Sequence, residues 1–319
     1  MSCQAPPREV PGAGSPLTQN VVAGPWRQGL VLARFRSALY LSVGAHHEVL
    51  PVVTSDALML PTAVRLSAAA REVDWGVQPG DTVTVGRSEI RLPGLHVRVV
   101  REWRPARVRA VPNLPEPGLL SELADTLACH VRAPELMDRA TAVCRAARSG
   151  DDAKVRCGTG QLLGAGLGLT PSGDDVLCAV LLLLCGVGDP APIALLGAAV
   201  QDRWSATTSL SASLLEAARH GYAVPEVVTL VECALRGDVA GAQGAVTSTL
   251  AIGHSSGQDL VAGLAGSLRV LAVTHTRPDT NARPDTAAAP FQAVNGPKTV
   301  PSGCSDGSCT LKPAERADP

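Results

Sequence analysis

Two adjacent aspartates, Asp174 and Asp175, close a glycine-rich loop and open an almost uninterrupted apolar run in "GAGLGLTPSGDDVLCAVLLLLCGV" (164–187). Carboxylates at such a junction can move protons or hold a hard cation such as Mg²⁺. The pattern has an echo: Ser172-Gly173-Asp174-Asp175 precedes one apolar helix, and Ser256-Gly257-Gln258-Asp259 precedes another. Each follows a loop with a further hydroxyl, Thr170 and Ser255 respectively.

Helix capping accounts for part of this. Ser-x-x-Asp resembles a capping box, in which the serine oxygen accepts an early amide and the carboxylate three residues on reaches back. That covers Ser172, Asp175, Ser256 and Asp259 without any function, and both carboxylates also suit the positive end of a helix dipole. Asp174 has no such duty. The helix it opens is apolar on every face and is expected to be central, so its mouth points into the protein or a cleft. A second carboxylate there needs a solvent-filled cleft, a basic neighbour or a bound cation. The expectation is a Mg²⁺ held by Asp174 and Asp175.

Gly164, Gly166 and Gly168 permit close backbone approach. Helix N-termini behind such loops bind anions, although two aspartates repel a phosphate unless Mg²⁺ or an arginine lies between. The loop is neither a Walker loop, lacking Gly-Lys-Ser/Thr, nor a dinucleotide fingerprint, which follows a strand. His254 precedes the second mouth and is of the residue type that carries protons near neutral pH, or is a loop histidine bonded to backbone. Thr207, Thr208, Ser209 and Ser211 offer more hydroxyls than one cap requires, and Thr208 is taken as a ligand contact. Arg203 reads as solvated, or as the partner of a carboxylate or anion. His46-His47 reads as an exposed loop pair. The repeated motif predicts that the two helix mouths lie side by side, with Asp174, His254 and Ser256 facing one cleft.

The elements that must position these residues follow from periodicity. Residues 1–24 are polar and proline-rich and are expected to be disordered. Residues 25–110 alternate apolar and polar positions, as in "LVLARFRSALYLSV" and "DTVTVGRSEIRLPGLHVRVV", with a hairpin turn at Gly86-Arg87-Ser88. This predicts a small all-β barrel or sandwich. "VPNLPEPG" (111–118) reads as a linker. From 119 to 274 the period is helical, giving a bundle of about eight helices and an α+β chain. The tail, 275–319, repeats Arg-Pro-Asp-Thr and reads as disordered.

Composition bounds the rest. Net charge is −1 and only 3% of residues are aromatic, so neither a basic surface nor stacking rings argue for nucleic acid. The longest apolar run falls short of the ~20 residues that span a membrane, and the start has no signal-peptide core. Nine cysteines, an odd number, read as reduced thiols of a cytoplasmic protein, with Cys304 and Cys309 a weak metal or disulfide candidate.

"GLTPSGDD" (168–175) and "GHSSGQD" (253–259), with "TTSLSASLLEAARHG" (207–221), resemble the shared motifs of a bacterial family that includes the AllH-like subunit of oxamate carbamoyltransferase. The resemblance spans roughly residues 25–275. It implies a multi-subunit enzyme of purine-nitrogen salvage, in allantoin degradation, moving a carbamoyl group between oxalurate and phosphate. It also implies a small anionic substrate, carbamoyl phosphate chemistry and partner subunits.

The family motif carries over to Thr170, Ser172, Gly173, Asp174, Asp175, His254, Ser256, Gly257 and Asp259. Asp174 and His254 are expected to be catalytic. Gly168, Thr170, Thr208, Ser172, Gly173, Asp175, Ser256, Gly257 and Asp259 are expected to bind the ligand. Leu167 stands where relatives often carry proline, and the Ser-Thr-Arg-Thr phosphate signature of other carbamoyltransferases is missing. Three readings remain at this point: a catalytic subunit, a non-catalytic stabilising or regulatory partner, and a small-anion or metal-nucleotide binding module.

Overall fold

The computed structural model describes residues 7–44 and 48–274. His46-His47, the tail from 275 with Cys304 and Cys309, and the first six residues lie outside the described residues. The N-terminal part is a closed eight-stranded barrel, in the order β1-β5-β4-β3-β2-β6-β7-β8. Its strands are β1 (Arg8–Gly14), β2 (Arg27–Arg34), β3 (Ala38–Val43), β4 (Glu48–Val53), β5 (Val64–Leu66), β6 (Thr82–Gly86), β7 (Glu89–Arg91) and β8 (Leu95–Glu102). Of the two β forms expected, the barrel is the one present.

Most neighbours are antiparallel, but β1 closes the barrel parallel to β8, and β4 pairs parallel to β5. Alternation works as expected in β2, where Gly29 and Val31 point inward between exposed neighbours. The β6–β7 hairpin turns at Arg87 and Ser88, both at positive φ, the geometry of a two-residue turn that follows the strand twist.

The start of the chain departs from expectation. Arg8–Gly14 is a barrel strand, followed by a short helix α1 (Gln19–Ala23), where composition suggested disorder. The glycine that made the segment look unstructured is what fits it in: a Cβ on Gly12 would stand 3.2–3.3 Å from Val64, Arg65 and Val97. Val10 and Ala13 supply the buried face.

Nine helices follow among the described residues. They are α2 (Pro117–Ala128), α3 (Pro134–Ser149), α4 (Asp152–Leu162), α5 (Ser172–Val187), α6 (Pro190–Gln201), α7 (Ser209–Arg219), α8 (Pro225–Arg236), α9 (Val239–Leu250) and α10 (Ser256–Thr274). The periodicity reading lacks α4, whose Val155, Thr159 and Leu162 form one short buried stripe interrupted by Gly158 and Gly160. Among the described residues no helix is long and apolar enough to cross a membrane. The expected linker is not free either. Val111 donates to the Gly186 carbonyl, and α2 begins at Pro117.

α5 and α10 form the centre. Apart from its two ends and Cys185, α5 is buried throughout, as its all-apolar sequence requires. α10 runs beside it in the same direction, closely enough that a Cβ on Gly263 would lie 2.6 Å from Ala179 Cβ and 2.8 Å from the Val176 carbonyl oxygen. The barrel does not stand apart from these helices. Ala38, Val53, Leu60 and Ala63 belong to the same apolar cluster as α5 and α10, while the barrel interior keeps its own core around Leu39, Leu41 and Ile90.

This contact gives a paired prediction. Gly263→Ala should lower Tm, because backbone on both helices must move, and overpacking of this kind costs about 1–3 kcal/mol. Gly244→Ala, in an exposed turn of α9 with nothing within 4 Å of its Cβ, should leave Tm unchanged or raise it by helix propensity. Melting curves in which both changes behave alike would contradict the close crossing.

Candidate functional site

The two Ser-Gly-x-Asp mouths lie together. Thr170 Oγ1 and Ser256 Oγ are 3.0 Å apart, joining the loop before α5 to the first residue of α10. The pairing is reciprocal: the Ser256 hydroxyl lies against the Asp175 carboxyl, and the Ser172 hydroxyl against that of Asp259. Each mouth is built by its glycine. A Cβ on Gly173 would fall 1.9 Å from the Leu162 carbonyl oxygen, and one on Gly257 2.1 Å from that of Thr249. Each helix therefore starts directly against the end of the helix before it.

Capping works differently from the sequence expectation. α5 begins at Ser172, and its cap position is Pro171, with no side-chain cap bond. The first amides are served by backbone: Gly173 N–H donates to the Ala165 carbonyl, and Asp174 N–H to that of Pro171. In α10, Gly257 N–H likewise donates to the Ile252 carbonyl. Because loop carbonyls take these donors, the serines are released from capping and face the opposite mouth. For the same reason these helix ends offer an anion fewer free N–H groups than the loop suggested.

The two adjacent aspartates have separate occupations. Asp174 is 1% exposed, and both its oxygens are taken by the chain itself. Oδ1 accepts from Gly164 N–H at 2.7 Å, and Oδ2 accepts from the Thr207 hydroxyl. Gly164, at positive φ, sits where a Cβ would meet the Ala206 carbonyl at 2.0 Å. Asp174 thus latches the glycine loop to the turn before α7. Thr208 completes the latch, donating to the Leu169 carbonyl at 2.6 Å while accepting from Ser211 N–H as the α7 cap. Gly168 lies exposed on the same loop, beside Leu167, which is 95% exposed.

Asp175 faces the other way. It is 6% exposed, its Oδ2 has no hydrogen-bond partner, and it lines a cavity of about 200 Å³ where the barrel meets the helices. Burial, reinforced by the charges of Asp259 and Asp174, pushes its carboxyl well above the ordinary range, against the opposing pull of the Ser256 and Thr170 hydroxyls. Asp259 is also raised, by burial, and its Oδ2 has no partner.

The cavity wall is mainly apolar and, among the described residues, carries no basic side chain. Polar atoms come from Asp175, Thr170 and Ser256, and the barrel contributes Tyr40 and Leu60. Cys178 also lines it, but burial raises its thiol well above the usual value, so it is no thiolate nucleophile.

Of the residues singled out in the sequence, Thr170, Asp175 and Ser256 reach this cavity. Asp174 does not line it, and His254 is exposed on the turn before α10, so the expected convergence of Asp174, His254 and Ser256 on one cleft is absent. Arg203 is exposed, and its neighbour Asp202 pairs with Arg156. Sequence reasoning passed over Tyr40 and Tyr222. A signal was available, since they are the chain's two tyrosines and both line this one cavity.

Two measurements separate the aspartates. Asp174→Asn replaces one accepting oxygen by an amide that cannot accept, so stability should fall by about 1.5–3 kcal/mol for the charge-assisted bond lost. An unchanged Tm would remove the latch. Asp175 carries the opposite sign. Below an ordinary carboxyl pKa of 3.8 both folded and unfolded states hold the proton. As pH rises above that, the unfolded chain releases its proton first, so the cost in stability grows until the raised folded pKa is passed and stays at its full value above it. The Tm advantage of Asp175→Asn over wild type should therefore grow from about pH 4 upward and then level off. A pH-independent difference would show that Asp175 ionises normally.

No curated protein and no solved structure matches the chain. The stretch that holds both helix mouths and the α7 latch, residues 162–268, matches the model of a family described as oxamate carbamoyltransferase subunit AllH, and this part of the chain carries that family's sequence pattern.

Proposed function

We propose that the chain is a subunit of an oxamate carbamoyltransferase-type assembly and that Asp175, with Thr170 and Ser256, handles the uncharged carbamoyl end of the substrate. The observation that carries this reading is the buried carboxyl of Asp175, a residue of the family-matched stretch, whose Oδ2 has no hydrogen-bond partner among the described residues and which lines a cavity. An apolar cavity with one orphan carboxyl oxygen suits an amide or ureido N–H donor. In carbamoyl transfer from oxalurate to phosphate, a phosphate oxygen bonds to the carbamoyl carbon, the carbon–nitrogen bond to the oxamate nitrogen breaks, and that nitrogen takes up a proton. A carboxyl whose pKa burial raises well above the ordinary range is fitted to supply it.

Asp174 then acts as a positioning residue through the latch, and His254 has no contact with the cavity. The charged ends of oxalurate and phosphate find no cation on this cavity wall. Partner subunits must bring those groups, which fits a multi-subunit enzyme better than a free-standing one.

A second reading rests on Asp259. Its buried Oδ2 also lacks a partner, as does Gln258 Oε1. Carboxylate, amide and hydroxyl oxygens are hard donors, so a Mg²⁺ at the paired mouths would be held by Asp175 and Asp259, since the oxygens of Asp174 are already engaged.

The test is reconstitution with the partner subunits, following phosphate-dependent release of oxamate. Asp175→Asn should lower turnover by about 10²-fold or more, the usual range for a general acid. Full activity of that assembly would leave the chain a non-catalytic partner, and full activity without the chain would end the subunit reading. For Mg²⁺, Tm of the isolated chain should rise with added metal and the rise should vanish in Asp259→Asn; a Tm indifferent to Mg²⁺ disposes of the second reading.

A further inference from the structure

We infer that a groove sharing Tyr222 with the Asp175 cavity binds a multiply charged oxyanion, a small ligand carrying phosphoryl groups. The groove has a volume of about 770 Å³ and lies between the segment leaving β8 and the C-terminal ends of α5 and α7. Arg104, Arg107 and Arg109 line it from the segment, and Arg219 and His220 from the end of α7. Among the described residues no carboxylate lines it.

Surface arginines are often merely solvated, and a cation in the last turn of α7 also suits the helix dipole. Two details go beyond that. Arg219 gives one terminal nitrogen to Glu216 at 2.8 Å, yet its Nε is buried with no partner. Arg107 is held in place, with Nε donating to the His220 carbonyl at 2.9 Å and its guanidinium over the Tyr222 ring at 5.1 Å. Among the described residues no ion pair joins Arg104, Arg107 or Arg109 to a carboxylate.

A stacked, oriented guanidinium among others of like charge is the arrangement that takes a planar or tetrahedral oxyanion by paired N–H bonds. Several such groups favour a ligand with more than one charge, because a single exposed pair is weak and screened by salt. The groove has the volume of a small-molecule site. It shares Tyr222 with the Asp175 cavity but has opposite chemistry, and three of its arginines lie outside the family-matched stretch. The inference does not depend on the proposed function.

Calorimetric titration of the full chain with pyrophosphate tests it, with inorganic phosphate and a glutamate-rich peptide as comparison arms. Pyrophosphate should bind saturably, more tightly than phosphate, and more weakly as salt rises. Arg104→Gln and Arg107→Gln should each weaken it about tenfold, the loss of one charge-assisted contact. Arg104 is exposed, so its variant keeps the test valid if Arg107→Gln lowers Tm. No saturable binding, affinity unaltered in both variants, or binding of the peptide alone would overturn the assignment; the last would make the groove a protein-docking surface.

Discussion

Backbone contact at two glycines sets the centre of this protein. With no side chain at Gly173 and Gly257, the carbonyls of Leu162 and Thr249 sit directly against the first turns of α5 and α10. Any Cβ would separate α4 from α5 and α9 from α10. The loops that replace ordinary caps depend on these contacts, because they bring Ala165 and Ile252 within reach of the glycine amides. Once backbone serves those amides, the serines and aspartates of each mouth are free to meet the other mouth. Two similar junctions, each incomplete as a cap, thereby make one shared polar centre inside an apolar bundle.

That centre explains why adjacent carboxylates can both be buried. Asp174 keeps its oxygens satisfied by donors from the loop and from Thr207, so its burial is supported by charge-assisted bonds. Asp175, one residue on, points to a region where hydroxyls are few and the wall is apolar. The helix turn of about 100° per residue that separates the two side chains also separates their chemistry. A latch and a carboxyl with one unpartnered oxygen then share a single turn, and the first holds the loop that carries Thr170 beside the second.

Much of this was legible in the sequence. The change from alternation to helical period located the barrel and the bundle, and the repeated Ser-Gly-x-Asp pattern brought the two mouths together. What failed has local causes. Arg8–Gly14 looked unstructured because the N-terminal residues are polar and proline-rich, yet Pro11 and Gly12 fit a tightly packed closing strand. α4 escaped because two glycines interrupt a short apolar stripe. Asp174 looked like the chemical residue because capping left it unemployed, but its partners, Gly164 N–H and the Thr207 hydroxyl, are a backbone group and a residue from a distant turn. No spacing rule reaches either of them.

The barrel gains a role from the same geometry. Tyr40 and Leu60 close the Asp175 cavity from outside the helical bundle, so the orphan carboxyl would be open to water without them. Exclusion of water is what raises the carboxyl's pKa and makes an unpartnered oxygen consequential. The segment leaving the barrel performs the opposite service, bringing Arg104, Arg107 and Arg109 to a groove that also includes Tyr222. Consecutive parts of the chain thus help make a mainly apolar cavity and a cationic groove that share one aromatic residue. The two surfaces differ accordingly: one sets a single carboxyl among apolar groups, the other gathers arginines and a histidine, and Tyr222 belongs to both.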